Sequence, residues 1–339
     1  MIITVTPNPS LDKTVELAAP LAVGQVQRAA AQHAEPGGKG VNIARALSAA
    51  GEETLALLPG DPSDPVLTAL TEIGVPHRSV PVGAPLRTNI AVTDPGGTTT
   101  KINELGPELY PASVTALREL ILRSAEGASW VALAGSLPPG APADLYGQLI
   151  AALRERPGAA PRIAVDASGT ALAAAAGAGP DLIKPNAEEL LELHAALCGT
   201  EASPGVAAAE LEGSRDLVLR LVRDCQRHGV RTALVTLGAH GALLVPPTDP
   251  DAAEAGPVLS SSGPPLVVRS TVGAGDASLA GYLSADQRRA PAPDRLRQAM
   301  AQGRAAASLP GSTMPRPQDL LLSDVVVEEF TPHEKDTAS

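Results

Sequence analysis

An α/β fold, with a mostly parallel central sheet covered by helices on both faces, is what this sequence predicts, and three observations carry it. Short β-branched or aliphatic runs alternate with longer Ala- and Leu-rich stretches of helical period. The 339 residues suit one large α/β domain or two smaller ones. Hydrophobic residues make up 44% and aromatics only 1%, so the core must be built from Ala, Val, Leu and Ile.

In chain order, strands are expected at residues 2–6, 54–58, 130–135, 162–166, 181–185 and 232–238. Helices are expected at 38–49, 65–73, 113–124, 144–154, 187–197 and 215–228. Two regions interrupt the alternation. Residues 14–28 and 86–103 read as short extended segments, with "DPGG" at 94–97 supplying a hairpin turn. Paired together they would form a small sheet projecting from the main one. The Pro-, Ala- and Ser-rich stretch 246–265 reads as a loop, and 328–339 as a mobile tail. Ligands in such sheets bind beyond the carboxyl ends of the strands.

Composition excludes several functions. The net charge of -11 and the lack of aromatic platforms argue against nucleic acid as a partner. No apolar run approaches roughly 18 residues free of charges and prolines, so no membrane span is expected. The opening "MIITVTPNPSLD" has no basic region ahead of an apolar stretch and does not read as a secretory signal. Cys198 and Cys225 cannot build a disulfide framework and read as buried small hydrophobes in a reducing, cytoplasmic setting. The six histidines lack metal-ligand spacing, and His194 and His228 read as helix-surface residues.

The chemistry gathers in four stretches. "PGGKGVNIARAL" at 36–47 makes a tight turn into a helix with Lys39 among the glycines, a suitable place for an anion. "STVGAGDASLAGYL" at 270–283 runs a Gly-x-Gly turn into an apolar helix, with Asp276 at its start. Asp276 is there either as an acidic cap, or as the carboxylate in reach of a hydroxyl proton while the amides of Gly273, Ala274 and Gly275 face a negative oxygen. "KPNAEEL" at 184–190 places Asn186 and Glu189 three apart. That spacing suits a capping box and equally a hold, through water, on Mg²⁺. "VTLGAHGAL" at 235–243 puts two glycines after a strand. Ser278 stands where a dinucleotide fingerprint needs Gly or Ala, and Gly40 follows Lys39 where a Walker A loop needs Ser or Thr. No Gly-x-Ser-x-Gly elbow is present.

Taken in order, "TPNPSLD" (6–12), "PGGKGVNIARAL", "RTNI" (87–90), "TKINELGP" (100–107), "GSLPPG" (135–140), "KPNAEEL" and "TVGAGDASLAGYL" resemble the PfkB/ribokinase family of sugar kinases, in its hexose-phosphate branch. The resemblance runs from residue 1 to about 322. It implies a ribokinase-like three-layer α/β/α sandwich over 1–322, with a β-sheet lid inserted from about 12–29 and 86–104, and a tail at 323–339. It also implies ATP and Mg²⁺ as cofactors, a small sugar phosphate as the other partner, and a homodimer formed through the lid.

By the same resemblance, Asp276 matches the catalytic base and Gly273, Ala274 and Gly275 the anion hole. Asp12, Gly37, Gly38, Asn42 and Asn103 match positions that grip the sugar. Lys184, Asn186, Thr236, Gly238, Gly241 and Gly275 match the nucleotide side, with Asn186 and Glu189 reaching Mg²⁺ through water. A sugar phosphate adds about two negative charges, which Lys39, Arg28 and Arg87 are expected to neutralise. Ala277, Leu105 and Ala134 depart from residues frequent in the family without removing a proposed catalytic group, and Pro/Ala-rich insertions lie near 200–213 and 246–265. The expected acceptor is fructose 1-phosphate, with tagatose 6-phosphate and fructose 6-phosphate as alternatives. A non-catalytic sugar or nucleotide sensor on the same fold is the alternative from another class, although a sensor would be free to lose Asp276.

Overall fold

The computed structural model describes residues 1–199, 205–249, 251–252 and 254–332. In chain order the elements are β1 (Ile2–Val5), β2 (Ser10–Leu17), β3 (Ala29–Gly37), α1 (Lys39–Ala49), β4 (Thr54–Pro59), α2 (Pro65–Glu72), β5 (His77–Val80), β6 (Arg87–Thr93), β7 (Thr99–Asn103) and α3 (Pro111–Ser124). They continue with β8 (Trp130–Ala134), α4 (Leu145–Arg154), β9 (Arg162–Asp166), α5 (Gly169–Gly177), β10 (Leu182–Ile183), α6 (Ala187–Cys198), α7 (Ala208–Glu212) and α8 (Arg215–Gln226). The chain ends through β11 (Thr232–Thr236), β12 (Ala242–Val245), β13 (Leu259–Ser262), α9 (Ala274–Gln287), α10 (Ala292–Ser308) and β14 (Val326–Glu329).

The main sheet runs β14-β13-β12-β11-β10-β9-β8-β1-β4-β5. It is parallel from β5 to β11 and antiparallel beyond. Both faces are covered, as the period-2 pleat shows. Ile3, Val5, Val131 and Leu133 enter the core under α3–α6 and α8. Their neighbours Ile2, Trp130, Ala132 and Ala134 enter the opposite core under α1, α9 and α10. Burying near-continuous aliphatic runs from both sides is what allows parallel strands with so few aromatics.

The second sheet, β3-β2-β6-β7, is the small separate sheet expected as a lid, and is called the lid below. Here the structure shifts the expected bounds. Pairing begins at Ser10 and leaves β2 at Leu17, the segment 18–28 is not strand, and the return strand is Ala29–Gly37. Pro20 and Gly24, the latter at φ 80°, break the extension that the sequence suggests. The β3 sequence AAAQHAEPG carries no β-branched residue, and its strand conformation comes from the ladder with β2.

Other expectations are also corrected. The loop expected at 246–265 contains β13, whose serines are recruited between β12 and β14. Val326–Glu329 therefore belongs to the edge of the main sheet rather than to a tail, and 333–339 lies outside the described residues. Within the insertion at 200–213, α7 forms, while 200–204 lies outside the described residues. His194 is buried and faces Asp224 at 3.1 Å, not solvent. Cys225 is buried and Cys198 partly so. Helices α5 and α10 and strand β5 were not expected from local pattern. Helix α10 packs on α9 closely enough that a Cβ on Gly303 would stand 2.0 Å from Ser278 Oγ.

Candidate active site

Four strand ends converge on one place: β1 leads to the lid, β9 ends in Asp166, β10 leads to Lys184, and β11 ends in Thr236. The carboxyl edge of the parallel sheet thus collects the polar groups, and two helix N-termini face them. Gly273 takes a left-handed φ of 76° that L side chains avoid, and from it α9 starts with no side-chain cap. Its first-turn acid, Asp276, is 6% exposed and accepts a hydrogen bond from Asn42 Nδ2 at 2.8 Å. Burial and the nearby Asp166 carboxylate push Asp276 up to about 6, against the pull of Lys39, Asn42 and Lys184. A carboxylate so tuned is mostly ionised at neutral pH and more basic than a free one.

Asp166 is the group that the sequence reading missed. Buried at the end of β9, it accepts from Lys39 Nζ at 2.7 Å through Oδ1, and its Oδ2 lies 3.1 Å from Lys184 Nζ. The two ammonium groups hold its carboxyl below the usual range despite burial. A lone acid closing the strand "RIAVD" was the available signal, but no spacing marks it. Lys184 also rests against the glycine turn, since a Cβ on Gly275 would stand 3.2 Å from its Nζ.

Lys39, expected at the phosphate of the sugar, is engaged with two carboxylates. As the first residue of α1, it donates to Asp166 Oδ1 at 2.7 Å and to Glu189 Oε1 at 2.9 Å. Burial opposes its charge, but Asp166, Glu189 and Asp276 outweigh that and raise its pKa above the ordinary lysine value.

Glu189 meets the capping-box expectation for its motif and adds an ion pair. Its Oε2 closes a capping box with Asn186 at the start of α6, while Oε1 takes Lys39. Asn186 in turn bridges to Thr236 beside it. Gly238 and Gly241 shape the turn after β11 with positive φ, and at Gly241 a Cβ would stand 2.0 Å from the Ser261 carbonyl.

On the lid, register decides which residues face inward. Asp12 pairs with Asn89, which pairs with Asn103; Thr14 pairs with Ala91 and Ala91 with Lys101. Together they wall a cavity of about 750 Å³, closed on the body side by 270–272 and 310–312. Asp12 is fixed there by Ser10 Oγ at 2.7 Å and Asn89 Nδ2 at 2.9 Å, and the missing Cβ of Gly37 leaves room for it. Arg87 is half-buried at the body end of β6 and donates to the carbonyls of Asn8 at 3.0 Å and Glu104 at 3.3 Å. Arg28 is exposed just before β3, at the far end of the lid from Asp12, ~17 Å along the strand. It is not brought to the site in this chain. Asp276 lies behind the turn that ends the cavity, not on its wall.

The model of the pfkB family of carbohydrate kinases matches residues 6–319. This chain belongs to that family. It is an ATP-dependent carbohydrate kinase. A 1-phosphofructokinase of Rhodobacter capsulatus is 34% identical over 98% of each chain. The crystal structure of phosphofructokinase-2 from Escherichia coli in complex with potassium superposes with a TM-score of 0.81 at 28% identity, covering 94% of this chain and 96% of that one. A ribokinase of Thermotoga maritima, at 16% identity and a TM-score of 0.68 over 94% and 97% of the two chains, shares the ribokinase-like fold. In this pfkB kinase no described helix is long and apolar enough to cross a membrane. Among the described residues, no cluster of three or more His, Cys, Asp or Glu side chains is placed to hold a metal directly.

Proposed function

We propose that this kinase transfers the γ-phosphoryl group of ATP to fructose 1-phosphate, giving fructose 1,6-bisphosphate. The observation that carries the chemistry is the Asp276–Asn42 pair at the uncapped start of α9. Asp276 takes the proton of the attacking hydroxyl, and Asn42 holds the carboxylate toward it. The amides of Gly273, Ala274 and Gly275, with the α9 dipole and Lys184 alongside, receive the charge on the moving phosphoryl group. Phosphoryl transfer is chiefly positioning and electrostatics, so these groups suffice for the protein's part. The sugar hydroxyls are held by Asp12, Asn89 and Asn103 on the lid face. The choice of fructose 1-phosphate is supported by the 34% identical relative that bears the name of that activity.

Magnesium fits the donor set in an outer-sphere manner. Asp166, which faces Asp276, and Glu189 are hard oxygen donors already bridged by one cation, and too few to cage an ion without waters and ATP oxygens. Bound there with ATP, Mg²⁺ would neutralise charge on the β- and γ-phosphates. The sugar's own phosphate falls to Lys101 on the cavity wall and Arg87 at the body end of β6, while Arg28 is remote. The exposed edge strand β7, with Val23 at 96% and Val26 at 99% exposure beyond β2, suits a second copy of the chain. The reading therefore includes a cytoplasmic homodimer formed through the lid.

The test is coupled ADP release with fructose 1-phosphate, fructose 6-phosphate, tagatose 6-phosphate and free fructose compared under one set of conditions. Highest kcat/KM on fructose 1-phosphate is expected. Turnover of free fructose matching that of the phosphates would overturn the assignment, and binding of sugar and ATP without ADP release would mark a sensor.

A further inference from the structure

Helix α1 carries a buried cation that the chemistry above does not use. Arg45 is 8% exposed and donates three ways: to the Pro36 carbonyl at 3.0 Å, to Glu35 Oε1 at 3.1 Å, and to Asn42 Oδ1 at 3.3 Å. Glu35 belongs to lid strand β3, where it pairs with Asp12, and its other oxygen accepts from Ser312 Oγ at 2.5 Å. Ser312 lies in the loop after α10 that walls the cavity, and Met314 of the same loop covers Gly273. A continuous path of hydrogen bonds therefore runs from the lid and this loop, through Glu35, Arg45 and Asn42, to Asp276.

We infer that Arg45 is a positioning residue that fixes the orientation of the Asn42 amide, and with it the geometry of Asp276, and that Glu35 ties this setting to the lid. An asparagine amide presents two donors at nitrogen and an acceptor at oxygen. While Asp276 is ionised, it selects the nitrogen by itself. Once Asp276 has taken a proton it can donate, and an amide turned over to offer its oxygen would bond to it equally well. Arg45 removes that alternative, because the turned amide would set its NH₂ against a guanidinium that has only donors. The Asn42 nitrogen thus stays on Asp276 throughout the cycle, and the base returns to its ionised form against a fixed donor. The groups facing Asp276 are Asp166 from the end of β9, Lys39 and Asn42 from α1, and Lys184 after β10. Replacing Arg45 alters none of them directly except Asn42.

The inference rests on Asp276 being the base, so its test has one arm that does not require turnover. With asparagine side chains ¹⁵N-labelled, the Asn42 amide should give one slowly exchanging pair of NMR signals in the full-length protein. Broadened, doubled or fast-exchanging signals are expected in Arg45→Met, and a smaller change in Glu35→Gln. In the kinetic arm, Arg45→Met should lower kcat ~10- to 100-fold and move the acid limb of the pH profile upward, leaving KM for ATP nearly unchanged. Adding it to Asn42→Ala should cost nothing further. An unchanged Asn42 signal in both variants would overturn the proposal. So would an unmoved acid limb beside a lowered melting temperature, which would leave Arg45 a purely structural tie. Altered amide signals in Arg45→Met alongside full turnover by Asp276→Asn would instead retain the amide lock and fail the base assignment.

Discussion

Lys39 Nζ joins Asp166 Oδ1 at 2.7 Å and Glu189 Oε1 at 2.9 Å, so one ammonium ties the end of β9 to the start of α6. The two carboxylates come from positions 127 and 150 residues away in the chain. They would repel each other without the cation between them, and Asp166 also repels Asp276. The lysine in the glycine turn therefore sits among the carboxylates of Asp166, Glu189 and Asp276.

That placement separates two outcomes for Lys39→Met. A clamp on the sugar phosphate would raise KM for the sugar alone. The observed contacts instead lead us to expect a rise in KM for ATP of ~10-fold or more, with a smaller change for the sugar, since Glu189 loses its cation and Asp166 keeps only Lys184, where on the proposed reading the polyphosphate arrives. Asp276 also loses an opposing positive charge, so the acid limb should move to higher pH. Initial-rate kinetics with each substrate varied in turn decide it. A selective effect on the sugar would restore the clamp.

Asp276→Asn removes the proton acceptor and keeps the volume. The expected loss in kcat is ~10²–10⁴-fold, with both substrates still bound, the range of a missing general base. Steady-state kinetics with isothermal titration of ATP and sugar phosphate would show it. A loss under tenfold would assign the base elsewhere.

The pH dependence of the same carboxylate follows from burial first and Asp166 second, which raise it from the ordinary 3.8 to about 6. With Asp276 as the proposed base, activity requires its ionised form, so kcat should fall as pH drops through about 6. Stability runs the other way. A group whose folded pKa lies above its unfolded value stabilises the fold fully below about 3.8 and loses that contribution as pH rises through about 6. Asp276→Asn, which cannot ionise, should thus melt higher than the parent at pH 8, and the gap should close towards pH 4. A gap that widens on acidification would mean that the carboxylate is stabilised as an anion.

How much of this was legible depended on whether the cause was local. The parallel strands and most helices carry their own aliphatic runs and period, and the Asp276 turn announces itself by glycines ahead of an apolar helix. Strand β3 has an alanine-rich sequence and β13 is largely serine, and both are strands because neighbouring ladders make them so. Asp166 carries no motif, and its importance arises from two lysines brought in from α1 and the end of β10. The direction of Lys39 was unreadable for the same reason. The turn places its Cα, but the charges that capture its ammonium are distant in sequence.

Gly37 offers a test of the lid face that leaves the catalytic floor intact. Its φ is not in the left-handed region, so alanine imposes no backbone strain there. A methyl group would nevertheless stand 2.1 Å from Asp12 Oδ2 and 2.4 Å from Asp12 Cγ. The carboxylate must then swing out of its bonds from Ser10 and Asn89. Because the displaced atoms are the end of one side chain, the fold should survive with the melting temperature nearly unchanged. KM for the sugar should rise ~10-fold or more, the loss of one or two charge-assisted hydrogen bonds, while KM for ATP stays put. Equal losses for both substrates would show that Asp12 supports the lid as a whole, and no loss would remove it from the sugar site.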